Sequence, residues 1–81
     1  MKKKTKMLNT PDEWHPCYPQ NKVEVSTMPL TDGKFRVCVW GTDDFGMERD
    51  YETAKEALAV YASIQSPVTI KGLKTLGFVP S

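Results

Sequence analysis

Catalytic chemistry has little to draw on in this chain. It holds one histidine, His15, and two cysteines, Cys17 and Cys38. A hydrolase or transferase site needs a nucleophile beside a base, paired carboxylates or a metal cluster. Glu13, His15 and Cys17 alternate, but they lie on a proline-rich stretch with no CxxC or HxxxH spacing to build a closed metal site. Neither GxGxxG nor GxxxxGK[ST] occurs, so Gly41 and Gly46 form no phosphate cradle. Asp43, Asp44, Glu48 and Asp50 fall close together, yet the calcium-loop pattern is absent and an acidic hairpin is expected instead. No metal, no cofactor and no enzymatic activity are expected.

Other absences narrow the class further. Two cysteines make no disulfide scaffold, and reduced thiols in a cytoplasmic protein are expected. No apolar run approaches the roughly 18 residues that span a bilayer. The basic start, Lys2, Lys3, Lys4 and Lys6, is followed by polar Asn9 to Glu13 where a signal peptide needs an apolar stretch. A net charge of +1 excludes a polycation that holds nucleic acid by charge alone. At 81 residues the chain is one lean domain.

What is present reads as a small α+β domain over residues 21–81, preceded by a flexible basic and proline-rich arm over 1–20. In the arm, Pro11, Pro16 and Pro19 remove backbone donors and favour extended geometry. Its aromatic groups, Trp14 and Tyr18, suit docking onto the domain.

A first strand is predicted from Lys22 to Leu30. Val23 and Val25 share one parity, Met28 and Leu30 the other, which predicts a β-bulge between Ser26 and Pro29. Pro29 predicts an edge position. Asp32-Gly33 predicts a two-residue hairpin turn with positive φ at both residues. In the second strand, Lys34 to Trp40, the core set is Phe35, Val37 and Val39; Lys34, Arg36, Cys38 and Trp40 point outward. A third strand, Gly46 to Tyr51, is expected to turn Met47 and Tyr51 inward and Glu48 and Asp50 outward.

Thr53 and Glu56 form a capping box that starts a helix ending near Ile64. Ala54, Ala57, Leu58, Tyr61 and Ile64 are its sheet-facing set. Thr69 as N-cap and Gly77 as left-handed stop bound a short second helix, with Val68, Leu73 and Phe78 packing around it. The expected architecture is a three-stranded antiparallel meander on one helix, followed by a short C-terminal helix: βββαα.

From Gly33 to Ile64, this pattern resembles the arm-type DNA-binding domains of phage and transposon integrases. The resemblance rests on the strand Lys34-Phe35-Arg36-Val37 and the junction Tyr51-Glu52-Thr53-Ala54-Lys55-Glu56-Ala57. It implies a sheet laid in the major groove, with Lys34, Arg36 and Trp40 reading it. Asp43, Asp44, Glu48, Asp50 and Glu52 depart from that pattern because they would face phosphates. In size and build the chain also resembles the small bacteriophage proteins that block host machinery, including some anti-CRISPR proteins.

The outward sheet face is the candidate site: Lys34, Arg36 and Trp40, with Glu48 and Asp50 beside them. Either a partner covers it or the N-terminal arm folds back over Trp40. Trp and Arg together are typical of interface anchors. The expected function is a non-catalytic protein-binding module, an inhibitor or adaptor acting on a host protein complex. The alternative is a DNA-binding accessory protein using the same face and the basic arm.

Overall fold

A computed structural model of the chain describes residues 1–11, 21–41 and 46–81. Five strands form one antiparallel sheet in chain order: β1 (Lys4–Asn9), β2 (Lys22–Pro29), β3 (Phe35–Trp40), β4 (Gly46–Tyr51) and β5 (Val79–Pro80). Two helices, α1 (Ala54–Ser63) and α2 (Ile70–Thr75), connect β4 to β5. The α+β class holds, and the expected meander is its centre. The sheet is wider than expected by one strand at each edge.

The larger correction is β1, which lies within the stretch read as a flexible arm. Its lysines obscure a two-residue period: Lys6 and Leu8 point to the helix side, Thr5 and Met7 to the other. Leu8 packs on the core. Lys6 lays its stem alongside α1, donates from Nζ to the Tyr61 carbonyl at 2.7 Å, and sits 4.5 Å above the Tyr61 ring. Partial burial lowers the Lys6 pKa. A lysine stem thus fills a position that alternation reserves for an apolar group. At the far end of β1, the Asn9 amide donates to Ser66 Oγ and the Asn9 carbonyl accepts from the Val68 amide. The α1–α2 connection thereby pins the strand.

With β1 in place, β2 is an interior strand, contrary to the edge position that Pro29 suggested. The proline is tolerated because β1 pairing ends at Lys4↔Thr27, so no neighbour on that side requires its missing donor. The expected bulge is also absent, since the β2–β3 register runs unbroken from Glu24↔Trp40 to Pro29↔Phe35. The phase change has a different cause. Val23, Val25 and Thr27 share the core face, while Met28 lies on the opposite face beside Arg36.

The turn differs as well. Leu30 and Lys34 close a loop of Thr31, Asp32 and Gly33 through Leu30 N–H to Lys34 O at 2.8 Å. Gly33 N–H donates to Leu30 O at 3.3 Å, and Gly33 alone has positive φ, +86°. This is the three-residue hairpin with glycine in the left-handed position. Asp32 contributes through its side chain, accepting from the Lys34 amide at 2.9 Å.

The helices cover one face of the sheet. Val23, Val25, Val37, Val39 and Met47 meet Ala57, Ile64, Val68, Leu73 and Phe78 there. Fully buried Ala57 lets α1 approach closely; Val60, absent from the expected set, packs with Tyr61 at the margin. Thr53 caps α1, accepting from the Glu56 amide at 3.2 Å. The return half of the box differs from expectation: the Thr53 hydroxyl itself donates to Glu56 Oε1 at 3.0 Å. Thr69 caps α2, and Gly77 (φ +89°) ends it. Phe78 N–H then donates to Leu73 O and Gly77 N–H to Lys74 O, the paired bonds of a Schellman stop.

Candidate functional site: the helix-free face of the sheet

Strand register assigns the other face without ambiguity. One row runs Met7, Glu24, Trp40, Gly46 across β1 to β4. The next runs Thr5, Ser26, Cys38, Glu48, Val79 across all five strands. A third runs Met28, Arg36, Asp50. The five residues expected from sequence therefore share one side: Arg36, Trp40, Glu48 and Asp50 within these rows, and Lys34 at the hairpin end.

Arg36 is the electrostatic hub. Its Nε donates to Asp50 Oδ1 at 2.8 Å and its Nη2 to Asp50 Oδ2 at 3.3 Å, a two-pronged contact. The same Nη2 lies 3.2 Å from Glu48 Oε2. The hydrogen bond to Asp50 raises the Arg36 pKa, and the same bond holds the Asp50 carboxyl below its ordinary value. Both side chains are only about a third exposed, at 33% and 34%. Lys34 belongs to a separate and looser pair, 3.7 Å from Glu52.

Trp40 is held by what faces it. A Cβ built at Gly46 would lie 3.0 Å from Trp40 Cε3 and 3.1 Å from Ser81 Oγ. Glycine at this place is what lets the indole lie across β4, and the Ser81 amide secures the same point by donating to Gly46 O at 3.0 Å. Trp40 remains 37% exposed. Met7 at 39% and Val79 at 58% share its face, giving exposed apolar groups on β1, β3 and β5. Between them, Ser26 and Cys38 are buried and share a hydrogen bond at 3.1 Å. Cys38 thus points outward, as expected, without being a surface thiol.

Sequence reasoning missed Met7, Glu24, Met28 and Val79. Glu24 and Met28 carried a usable signal, their parity opposite to Val23 and Val25. Met7 and Val79 depend on strands that the lysines and the shortness of β5 concealed.

Elsewhere, Arg49 donates to the Leu76 carbonyl at 2.7 Å and lies over Tyr51, tying β4 to the end of α2. A shallow cleft of about 150 Å³ lies between the end of α1 and α2, with Ile64, Val68 and Leu73 at its base. Among the described residues, no group of three or more His, Cys, Asp or Glu is arranged to hold a metal ion. Nor is any helix among them long and apolar enough to cross a membrane. Glu13, Trp14, His15, Cys17, Tyr18, Asp43 and Asp44 lie outside the described residues, and with them the reading in which the arm covers Trp40. In comparisons with known proteins, the chain matches no family model, no curated protein and no solved structure.

Proposed function

We propose that this chain is a non-catalytic protein-binding module, an inhibitor or adaptor that engages a host protein complex through the helix-free face of its sheet. The observation that carries the reading is the placement of Trp40. It is exposed at the end of β3, on a face that also exposes Met7 and Val79, while two pleats back along the same strand Arg36 is locked by two carboxylates. An exposed tryptophan that shares its face with apolar groups and an ordered arginine has the composition of an interface anchor.

The same ion cluster weighs against DNA on this face. Arg36 is neutralised by Asp50 and Glu48, which would face the phosphates of a duplex laid there. A DNA-binding role would have to rest on Lys2, Lys3 and Lys4 at the sheet's edge, since Lys6 is engaged with Tyr61.

The test is an affinity capture from lysate of the native host, with and without nuclease, using wild-type protein and Trp40→Ala as baits. A protein retained after nuclease treatment and lost with Trp40→Ala is the expected result. Retention that vanishes with nuclease, together with tight duplex binding that falls steeply between 50 and 200 mM salt, an order-of-magnitude range for phosphate contacts, would establish the DNA alternative instead.

A further inference from the structure

Charge on the helix-free face is unevenly shared. Among the described residues of β2 to β4, this face carries three carboxylates, Glu24, Glu48 and Asp50, against one guanidinium, Arg36, and one ammonium, Lys22. That guanidinium is turned onto Asp50 and Glu48, so its charge is spent within the sheet. Lys22 stands one pleat from Glu24 on β2, and the Lys34–Glu52 pair lies by the hairpin. Among the described residues these strands therefore carry one negative charge in excess, with Glu24 next to the exposed indole. Glu24 stands directly opposite Trp40 across the β2–β3 register, and Glu48 lies one pleat beyond Gly46 on β4. Directly opposed side chains on neighbouring strands have Cβ atoms about 5 Å apart, within reach of a common third group.

We infer that the partner presents a cationic side chain, arginine or lysine, which lies on the exposed indole of Trp40 and pairs with the carboxylates of Glu24 and Glu48. This rests on the protein-binding reading above and specifies the chemistry of its partner. Tryptophan is the strongest aromatic platform for a cation, and flanking carboxylates add charge pairing to the stack. Met7 and Val79, on either side of the row pair, receive the apolar residues that accompany the cation. The same charge excess argues against a second copy of this chain as occupant. A two-fold contact through this face would set two faces of like net charge against each other.

The probe is a random dodecapeptide library displayed on phage, panned on wild-type protein with counter-selection on Trp40→Ala. Enriched sequences are then synthesised and titrated by fluorescence anisotropy against wild type, Trp40→Ala, Glu24→Gln and Glu48→Gln, each first checked for cooperative unfolding. Val79→Ser, on the same face, is carried alongside as a second variant, and a Trp40→Ala that fails to unfold cooperatively would itself overturn the face. The expected winners carry arginine or lysine next to an apolar residue. They should lose about tenfold or more in affinity on Trp40→Ala and several-fold on either glutamine variant, roughly the scale of an anchor and its charged flank. Winners that depend on Trp40 but are acidic or uncharged would overturn the cationic partner and leave the protein-binding face standing. Winners indifferent to Trp40→Ala and Val79→Ser, or no winners at all, would overturn the face itself.

Discussion

On the helix-covered side of the sheet, Val23, Val25, Val37, Val39 and Met47 have no solvent exposure; on the other side, Met7, Trp40 and Val79 remain open beside a cluster of charges. Both sets stand on strands of one antiparallel sheet, so backbone geometry is not the difference. The covered side is apolar almost throughout and is stabilised by removing surface from water. The open side is ordered by pairwise contacts: Arg36 to Asp50 and Glu48, Ser26 to Cys38, Trp40 over Gly46. Substitution on the first side should therefore damage the fold. On the second it should damage what the fold presents.

The contrast is broken most severely by removing β1. Deleting residues 1–10 takes away the strand paired with β2 over Lys4 to Asn9, along with the Lys6–Tyr61 and Asn9–Val68 contacts. Its loss should lower the urea midpoint by more than any single core truncation. An unchanged midpoint would return this segment to the status of a dispensable arm. Next is Val37→Ala. Val37 is fully buried at the centre of the sheet, and its truncation should cost about 2 kcal/mol in denaturant unfolding, on the low side of large-to-small core changes.

Thr27→Val runs in the opposite direction. The Thr27 hydroxyl is buried on the core face with no hydrogen-bond partner, so an apolar replacement of the same shape should raise stability by about 1 kcal/mol. A loss would mean that the hydroxyl has a partner in solution.

The smallest effect concerns acid. The folded Asp50 carboxyl is held below its ordinary value, so the native state binds that proton less readily than the unfolded chain. The stabilisation is complete above the ordinary aspartate pKa of about 4 and is lost as pH falls through the depressed folded value. Because the pair is a third exposed, the loss should be under about 1 kcal/mol. Asp50→Asn should flatten this part of the acid limb in unfolding curves taken across that range.

How far the sequence could be read follows the same division. Where alternation was clean, as in Phe35, Val37 and Val39, strand and facing were both legible. So were the helix ends, because Thr53, Thr69 and Gly77 cap by local chemistry. β1 was not legible, because Lys6 satisfies a core-side position with its stem, a use that a hydropathy pattern scores as polar. β5 is two residues ending in proline and is defined only by its pairing with β4. The turn was misjudged because Asp-Gly fits a two-residue loop, whereas Thr31 joins it and leaves only Gly33 at positive φ. At the site, parity was enough to group Arg36, Trp40, Glu48 and Asp50. The apolar flanks Met7 and Val79 required the edge strands.

The central claim is that Trp40 belongs to a binding surface and not to the core. Its most direct test is a paired measurement on Trp40→Ala: the urea midpoint, and the affinity for the protein captured by wild type. Expected is a midpoint shift well below that of Val37→Ala, with binding weakened by about 2 kcal/mol or more, roughly thirtyfold. A domain that unfolds with Trp40→Ala, or one that stays folded and binds its partner unchanged, would contradict it.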